Sequence, residues 1–579
     1  MIRFSQELSE GEKNATRNRK GKVLKCLQDL GISCDEAHTP NITVLGSGGG
    51  LRAMIALLGT LVEMQKQGLL DAVMYLCGVS GSTWCMSALY KDQNWTKNVE
   101  KLEENLCDSL YSDAWRRQEA YSLVNQAADD EHFSLTDIWA SFVVYKTLQQ
   151  KDQTKLSEHK ESSTSGTNPY PIYAAVEANL HKSREHGLET WFEFTPHESG
   201  FPGLGAFVST KYLGSKFEDG NLQKEVEEKN ICYLQGLWGS ALGSREENRK
   251  FVSELVRDKF VGGWKKEMQS ATYEPGTPET RSYDESVSDR SYDEVPNLRE
   301  GSSICTCHRC LALLDLLERQ AQASTEEESE EVLRQMMEIM KDENMEEPFQ
   351  HCLESRESWD ENTLEENMED WPQMENRSFT LPKFVSHPCK LIWKIGRCIS
   401  SWTWGKTNNF LYNCRDAIAQ TTDLVKEKVL NLIDAGLAIN SAYPLVLRPA
   451  RGVKLILSFD FSAGDPFETL KKTAKYCETN QIPFPKINPE EIKSQNNPSD
   501  CYIFKGKDVP TVMHFPLFNN KNCSGEIHDF RTRFSTFTLS YGKEDVKELL
   551  TRAKMNVTNN KGRILEEIRQ LTSSSSKAF

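Results

Sequence analysis

Two glycine-rich turns constrain this chain more strongly than any other feature. The first reads V-L-G-S-G-G-G-L-R-A-M over Val44–Met54 and follows a short apolar run with β-branched residues. The second reads C-G-V-S-G-S-T-W over Cys77–Trp84 and follows the apolar stretch Ala72–Leu76. Apolar residues recur with helical spacing beyond the first turn, and a helix is expected from about Thr83 beyond the second. The pattern therefore predicts two consecutive strand–turn–helix units.

Ser80 lies at the centre of the second turn, between Gly78 and Gly81. A serine between small residues on a sharp strand-to-helix turn presents its hydroxyl above the sheet, as in a nucleophile elbow. The fifth position of that motif is Ser82 in this chain rather than glycine. The alternative role for Ser80 is an ordinary helix N-cap, because serine is common at that position.

The glycines of the first turn supply a second part of an ester-hydrolysing site. Because Gly48, Gly49 and Gly50 have no Cβ, their backbone N–H groups can approach a developing oxyanion closely. The run fits neither the dinucleotide fingerprint G-x-G-x-x-G nor the phosphate loop G-x-x-x-x-G-K-[ST]. Together, the two turns favour acyl chemistry with Ser80 as the nucleophile.

A third feature lies far along the chain. The run V-K-L-I-L-S-F over Val453–Phe459 is the clearest buried strand in the sequence, and Asp460 follows it directly. Carboxylates at the carboxyl ends of strands in open α/β sheets point into the crevice where ligands bind. Asp460 is therefore a candidate for the catalytic base.

Several motifs together are similar to those of the group IV cytosolic phospholipase A2 family. They are G-S-G-G-G-L-R-A, G-V-S-G-S-T-W and S-F-D-F-S-A-G, with further matches in D-A-G-L-A-I-N (Asp434–Asn440) and M-H-F-P-L-F-N (Met513–Asn519). The resemblance covers most of residues 10–264 and 385–560. It implies an α/β, patatin-like catalytic domain with a central sheet flanked by helices.

The resemblance also implies a catalytic dyad of serine and aspartate without histidine, which carries over to Ser80 and Asp460. Two other residues are rival partners for the serine. Asp434 resembles the D-G-[GA] signature of patatins, and His514 fits the Ser, Asp, His order of α/β-hydrolases. The S-F-D-F-S-A match favours Asp460, and a dyad without histidine leaves His514 as a core residue.

The remaining site residues follow from the same family motif. Gly49 and Gly50 would form the oxyanion hole, and Arg52 would bind the substrate phosphate with its bidentate guanidinium. A salt bridge at the start of the helix is the alternative for Arg52. The implied function is a calcium-independent phospholipase A2 that forms an acyl-serine on glycerophospholipids, with lysophospholipase and transacylase activity and no metal or cofactor. Its partners would be membrane phospholipids and lysophospholipids rather than nucleic acid.

Charge separates one segment from the rest of the chain. The formal charge of the whole chain is −16, and residues 271–380 alone carry 29 acidic and 9 basic residues. The remaining residues are therefore slightly basic. This segment also contains R-S-Y-D-E twice, at Arg281–Glu285 and Arg290–Glu294. We expect a long acidic insertion that is disordered, with one possible helix over 311–340.

The expected domain organisation follows from these observations, and it includes no C2 domain. The roughly 40 residues before the first turn are too few for the calcium-binding C2 domain with which relatives often begin, which favours calcium-independent action. Sixteen cysteines without a secretion signal indicate a reducing compartment. Cys305, Cys307, His308 and Cys310 lack a second pair at zinc-ligand spacing. We expect an N-terminal helical segment (1–40), two halves of a catalytic domain (41–264 and 383–560) around the insertion (265–382), and a Ser-rich tail (561–579).

Access to lipid is the last question that the sequence raises. No apolar run is long enough to span a bilayer, and no cysteine stands at the C-terminal position that prenylation requires. We expect a cytoplasmic protein that binds peripherally to intracellular membranes, the endoplasmic reticulum or nuclear envelope by resemblance. Lys390, Trp393, Lys394 and Arg397 suit a membrane interface, with a core helix as the alternative. A non-catalytic, lipid-binding membrane scaffold is the alternative function.

Overall fold

The computed structural model describes residues 2–112, 114–183, 187–240, 245–261, 306–340, 388–536 and 538–575. The chain forms two compact units. The first comprises Met1–Asn248 and Thr403–Phe579, and the second comprises Arg249–Trp402. Both copies of R-S-Y-D-E, and most of the acidic segment, lie outside the described residues.

The first unit is built on one large mixed sheet. Ten strands follow each other in the order β1-β7-β6-β5-β4-β3-β2-β12-β14-β13, and β11 joins β4 and β10 to one side. The strands are β1 (Ile2–Phe4), β2 (Asn41–Gly46), β3 (Tyr75–Gly78), β4 (Tyr170–Glu177), β5 (Trp191–Phe194), β6 (Glu198–Phe201), β7 (Ala206–Ser209), β8 (Lys216–Glu218), β9 (Asn221–Lys224), β10 (Lys406–Asn408), β11 (Val429–Asp434), β12 (Val453–Asp460), β13 (Tyr502–Phe504) and β14 (Thr511–Pro516). Strands β8 and β9 form a separate hairpin.

Five parallel strands, β4-β3-β2-β12-β14, form the centre of the sheet. Every residue of β3, β4 and β14 is buried. Because successive side chains on a strand point to opposite faces, complete burial means that both faces of these strands are covered. The apolar sequences of these strands, such as L-I-L-S-F in β12, are typical of parallel sheets. The predicted strand after residue 452 is confirmed.

Helices cover the sheet, and the two predicted after the glycine turns are present. Helix α2 follows the first turn and packs against α3, α4 and the C-terminal helix α18. The helices of the first unit are α1 (Glu10–Asp29), α2 (Gly50–Lys66), α3 (Gly81–Leu89), α4 (Trp95–Leu110), α5 (Arg117–Ala127), α6 (Leu135–Trp139), α7 (Tyr145–Leu148), α8 (Lys160–Thr164), α9 (Ala178–Ser183), α10 (Ile231–Trp238), α15 (Tyr443–Val446), α16 (Glu468–Asn480), α17 (Ile527–Arg533) and α18 (Lys543–Ser575).

The N-terminal segment contributes more than the helix expected from its sequence. Strand β1 pairs with β7 and so joins the sheet. In α1, Arg19 is buried and donates hydrogen bonds to backbone carbonyls, including that of Val73 at 2.5 Å. Lys22 forms an ion pair with Asp71 at 2.8 Å. These two basic residues therefore attach α1 to the segment 71–73, which precedes β3.

A buried ion network connects α1, β5 and the turn before β12. The guanidinium of Arg451 donates to both carboxylate oxygens of Glu12, at 2.9 and 3.1 Å, and to both of Glu193, at 2.8 and 3.0 Å. Arg448 donates to Glu193 at 2.8 Å. All four residues are buried. Burial opposes ionisation of Glu193, but the charges of Arg451 and Arg448 outweigh it and lower the pKa of this carboxyl.

The described residues of the acidic segment, 306–340, are helical, as expected for 311–340, and the rest of the segment expected to be disordered lies outside the described residues. The helical run expected over 311–340 forms two helices, α12 (Thr306–Gln322) and α13 (Glu326–Ile339). They pack against each other and against α14 (Pro388–Ser401), while α11 (Arg245–Val256) precedes the segment. The second unit, Arg249–Trp402, therefore extends beyond the predicted insertion, 265–382. It includes buried apolar residues of the flanking helices α11 and α14.

The tryptophan proposed for a membrane interface does not lie on the surface. Trp393 of α14 is 7% exposed, so its ring is not available to a bilayer in this conformation. Arg397 is exposed, and Lys390 and Lys394 are half-buried. The structure thus favours the alternative, a helix that packs in a core. No helix in the described ranges is both long and apolar enough to cross a membrane.

Helix α18 corrects the expected end of the catalytic domain. It runs without interruption over Lys543–Ser575, so the serine-rich residues expected as a tail from 561 continue the helix. The helix is anchored by Asn556, which donates to the carbonyl of Pro516 at 3.0 Å and accepts from Asn519 at 2.8 Å. It packs closely on α2 at Gly59, where an added Cβ would stand 3.0 Å from the carbonyl oxygen of Leu550.

Candidate active site

Three chain segments meet at the carboxyl edge of neighbouring parallel strands. Strand β2 lies between β3 and β12, with Gly46 paired to Gly78 on one side and to Phe459 on the other. The first glycine turn therefore follows the middle strand. Ser80 comes two residues after Gly78, and Asp460 comes directly after Phe459. The register places the serine and the aspartate on either side of the glycine turn.

Ser80 has the backbone conformation of a nucleophile elbow. Its φ is 52° and its ψ is −125°, a strained conformation for a residue with a side chain. It occupies the N-cap position of α3, but its side chain accepts no capping hydrogen bond. Within the described part of the chain, the Ser80 hydroxyl forms no hydrogen bond. The ordinary N-cap role is therefore not what this side chain performs.

The two glycine turns touch each other through backbone atoms. A Cβ on Gly81 would stand 1.8 Å from the carbonyl oxygen of Gly50, so only glycine fits at this position. This contact brings together the N-termini of α2 and α3, and neither helix has an acidic residue in its first turn. The positive ends of both helix dipoles therefore face the same place, which favours negative charge there.

Gly49 and Gly50 are the candidates for an oxyanion hole. Their φ values are 144° and 59°, which favour glycine. Neither backbone N–H donates a hydrogen bond to another described residue. In contrast, the N–H of Gly48 donates a hydrogen bond to the carbonyl of Asn440 at 2.9 Å. Two unpaired N–H groups at the start of a helix can stabilise the oxyanion of a tetrahedral intermediate.

Ser47 connects the three segments that carry the site. Its N–H donates to the carbonyl of Phe459 at 3.1 Å, and its hydroxyl accepts from the N–H of Phe461 at 2.7 Å. Its carbonyl accepts from the Ser82 hydroxyl at 2.6 Å. Ser82 stands where the usual elbow motif has glycine, and its hydroxyl connects the second glycine turn to the first.

Asp460 is 1% exposed and only half of its carboxylate is satisfied. The Oδ1 atom accepts a hydrogen bond from the N–H of Ser462 at 2.9 Å. The Oδ2 atom is buried and has no partner in the described residues. An unpaired buried carboxylate oxygen costs free energy unless another group completes it. A carboxylate held by one oxygen, with the other open, is suited to accept a proton.

The two rival residues are engaged elsewhere. Asp434 accepts a hydrogen bond from the N–H of Gly436 at 2.8 Å, which closes its own turn after β11. His514 is fully buried in β14, and its Nε2 lies 2.7 Å from the carbonyl oxygen of Pro466. Burial lowers the pKa of His514, so its imidazole is neutral at physiological pH. Its contacts are those of a core residue.

Arg52 is 1% exposed and forms no salt bridge with any residue that the structure describes, contrary to the alternative considered from sequence. Its guanidinium donates to the carbonyls of Phe461 (2.7 Å) and Phe534 and to the Thr536 hydroxyl at 3.3 Å. The Nη2 atom of Arg52 lies beside the first glycine turn, since a Cβ built on Gly49 would be 2.7 Å from this atom. Motif reasoning could not identify these acceptors, since they come from distant segments with no recognisable pattern.

No second chemistry is evident around these residues. In the described ranges, no group of three or more histidine, cysteine, aspartate or glutamate side chains could hold a metal ion.

Sequence reasoning missed Asn440 and Ser462, which both lie within motifs that matched the family. Their contacts beside Asp460 become visible only in three dimensions.

Comparison with known proteins agrees with this geometry. The lysophospholipase catalytic domain family matches residues 42–256, which include both glycine turns. Human cytosolic phospholipase A2 gamma is 40% identical over 571 residues, covering 97% of this chain and 94% of its own length. The mouse protein of the same name is 37% identical over 578 residues, covering 97% and 91%. The resemblance to the cytosolic phospholipase A2 family seen in the motifs is confirmed.

A solved structure shares the fold. The structure of human GIVD cytosolic phospholipase A2 matches with a TM-score of 0.63 at 24% identity, covering 99% of this chain and 68% of that one. The expected α/β architecture, a mixed central sheet flanked by helices, is confirmed.

Proposed function

This chain belongs to the cytosolic phospholipase A2 family and is a phospholipase, and from that premise we propose that it is calcium-independent and works through Ser80 and Asp460. Its substrates would be glycerophospholipids and lysophospholipids, whose acyl esters it cleaves through an acyl-serine. The observation that carries the Ser80–Asp460 part of this proposal is the buried Oδ2 of Asp460, which has no partner among the described residues and lies at the sheet edge that also presents Ser80.

Acylation uses groups that the chain itself supplies. Asp460 accepts the proton of the Ser80 hydroxyl as the serine oxygen attacks the ester carbonyl, because a neutral hydroxyl is a poor nucleophile. The carbonyl oxygen becomes an oxyanion, and the N–H groups of Gly49 and Gly50 together with the two helix N-termini stabilise it. Collapse of the intermediate breaks the ester bond, and the proton held by Asp460 passes to the leaving alkoxide.

Deacylation decides which of the expected activities is seen. Water that attacks the acyl-serine gives a free fatty acid, which is phospholipase or lysophospholipase turnover. A lysophospholipid hydroxyl that attacks the same intermediate gives a new phospholipid, which is transacylation. The two activities share one intermediate and differ only in the acceptor, so we propose both. Peripheral association with membranes of the endoplasmic reticulum or nuclear envelope is part of the same proposal, since the substrate lies in a bilayer.

The test uses the purified full-length chain with phosphatidylcholine vesicles that carry a labelled sn-2 acyl chain. We expect release of labelled fatty acid in excess EGTA, and transfer of label to added lysophospholipid. Release that requires added calcium would contradict calcium independence. Vesicle binding without any release would instead indicate a lipid-binding scaffold.

We propose that the Nη2 end of Arg52 binds the substrate phosphate. The bond from Nη2 to Thr536, at 3.3 Å, is the longest of the three that the guanidinium makes, and a phosphate oxygen that replaced it would gain a charge-assisted bond. We expect Arg52→Lys to lower kcat/KM on phospholipid about 10- to 100-fold, because lysine keeps the charge but loses the fork. Hydrolysis of a phosphate-free ester should fall much less.

The matched control is Arg415→Lys, which alters a surface arginine whose side chain is 85% exposed. It should leave both substrates unaffected. If Arg52→Lys lowered the turnover of both esters equally, Arg52 would be a structural residue that only holds the carbonyls of Phe461 and Phe534.

A further inference from the structure

Asn440 lies between the glycine turn and the segment that carries Asp460. It follows the turn that closes β11, and its side chain is half-buried. Its backbone carbonyl accepts from the N–H of Gly48 at 2.9 Å, and its Nδ2 donates to the carbonyl of Gly48 at 3.3 Å. One residue thus holds both polar groups of the glycine that precedes the oxyanion hole.

The same amide also reaches the catalytic aspartate through one intermediary. The Nδ2 of Asn440 donates to the Ser462 hydroxyl at 2.8 Å, and the N–H of Ser462 donates to Oδ1 of Asp460 at 2.9 Å. These bonds fix one carboxylate oxygen and leave Oδ2 open. A chain of three hydrogen bonds therefore runs from the Gly48 carbonyl through Asn440 and Ser462 to the base.

Ser80 lies beside the same contact. A Cβ placed on Gly48 would stand 2.5 Å from Oδ1 of Asn440 and 2.9 Å from the Cβ of Ser80. The side chains of Asn440 and Ser80 therefore approach the same point above Gly48, which must be glycine for both to fit. Asn440 therefore lies beside the nucleophile, bonds to the first glycine turn and connects to the base through Ser462.

We propose that Asn440 is a positioning residue that fixes the oxyanion turn and the Asp460 carboxylate relative to Ser80; this rests on the function proposed above. It acts on no reacting atom itself. Because the three catalytic segments are far apart in the chain, a side chain that bonds to two of them determines their spacing. Displacement of catalytic groups by about 1 Å can lower the rate about a hundredfold.

Two variants test the proposal, with kcat measured per active site titrated by a fluorophosphonate. We expect Asn440→Ala to lower kcat about 30- to 100-fold with KM within about twofold, because geometry rather than lipid binding is lost. We expect Asn440→Asp to shift the acid limb of the kcat/KM profile upward by about one pH unit, because a new negative charge disfavours the ionised form of Asp460.

The matched control is Asn409→Ala. Asn409 is also a buried, loop-bridging amide, since its Nδ2 donates to the carbonyls of Leu424 and Glu427 at 2.7 Å. It contacts none of the catalytic segments. This variant should lose stability, but its kcat per titrated site and its pH profile should match those of the unaltered chain.

Three results would overturn the inference. They are a kcat within about threefold of the unaltered chain in Asn440→Ala, an unshifted acid limb in Asn440→Asp, and an equal loss of kcat in Asn409→Ala. A parallel Ser80→Ala measurement separates this failure from a failure of the proposed function. If Ser80→Ala stays active, the proposed function is wrong. If it is inactive while Asn440→Ala is normal, only the positioning role is wrong.

Discussion

Ser80→Ala and Asp460→Asn are each expected to lower ester hydrolysis by about four orders of magnitude or more. Alanine removes the nucleophilic oxygen without changing the strained backbone at this position. Asparagine keeps the shape of Asp460, but an amide cannot accept the serine proton. Hydrolysis of a labelled phospholipid, measured against protein whose unfolding transition matches that of the unaltered chain, gives the result.

Because the two groups act as one unit, the double variant should lose little more activity than either single variant. The comparison with Asp434→Asn decides between the two carboxylates. That change should leave most activity, since Asp434 closes its own turn through the N–H of Gly436. Full activity in Asp460→Asn, with none in Asp434→Asn, would move the base to Asp434.

Arg451→Met is expected to destabilise the fold by about 3–5 kcal/mol, the usual effect of removing one partner of a buried ion pair. Methionine fills much of the space, but it leaves the carboxylates of Glu12 and Glu193 buried without the cation that bonds to both. Urea unfolding followed by tryptophan fluorescence measures the change. The control Lys426→Met removes an exposed ion pair with Asp423 and should not shift the transition measurably.

The effect of Arg451→Met should depend on pH. In the unaltered chain the folded-state pKa of Glu193 is lowered, so its contribution to stability is present above the unfolded pKa and is lost as the pH falls through the folded pKa. In the variant, burial without the cation favours the neutral acid, so protonation relieves the cost. The difference in unfolding free energy should therefore narrow from pH 7 toward pH 4. A constant difference would mean that packing, rather than charge, stabilises the network.

The local elements of the site could be predicted from the sequence because each depends on a short pattern. The glycine turns, the strand that ends at Asp460 and the helix after Ser80 are encoded by neighbouring residues. The order of the strands is not, because pairing of β2 with β12 joins distant segments. The roles of Asn440 and Ser462 depend on that pairing, and no local pattern predicts them.

Composition alone says little about burial. Within the acidic segment a helix was expected over 311–340, and one face of α13 there carries Val332, Leu333 and Met336, which are buried. Trp393 beside basic residues resembled a membrane interface. The alternative, a helix that packs in a core, is what the structure shows, because this helix packs against α12 and α13. The same amphipathic pattern suits a lipid surface and a protein core, so the partner has to be seen.

The pairing of β2 with β12 also determines when activity can arise during synthesis. Arg52 and the carbonyl of Phe461 that it holds are 409 residues apart in the chain. The proposed nucleophile, Ser80, and the first glycine turn leave the ribosome early, whereas the proposed base, Asp460, follows 380 residues after Ser80. Until then β2 has an unpaired apolar edge, which nascent chains must protect from aggregation. With the dyad proposed above, the site is incomplete until Asp460 has been made, so the chain cannot hydrolyse membrane lipid during the earlier part of its own synthesis.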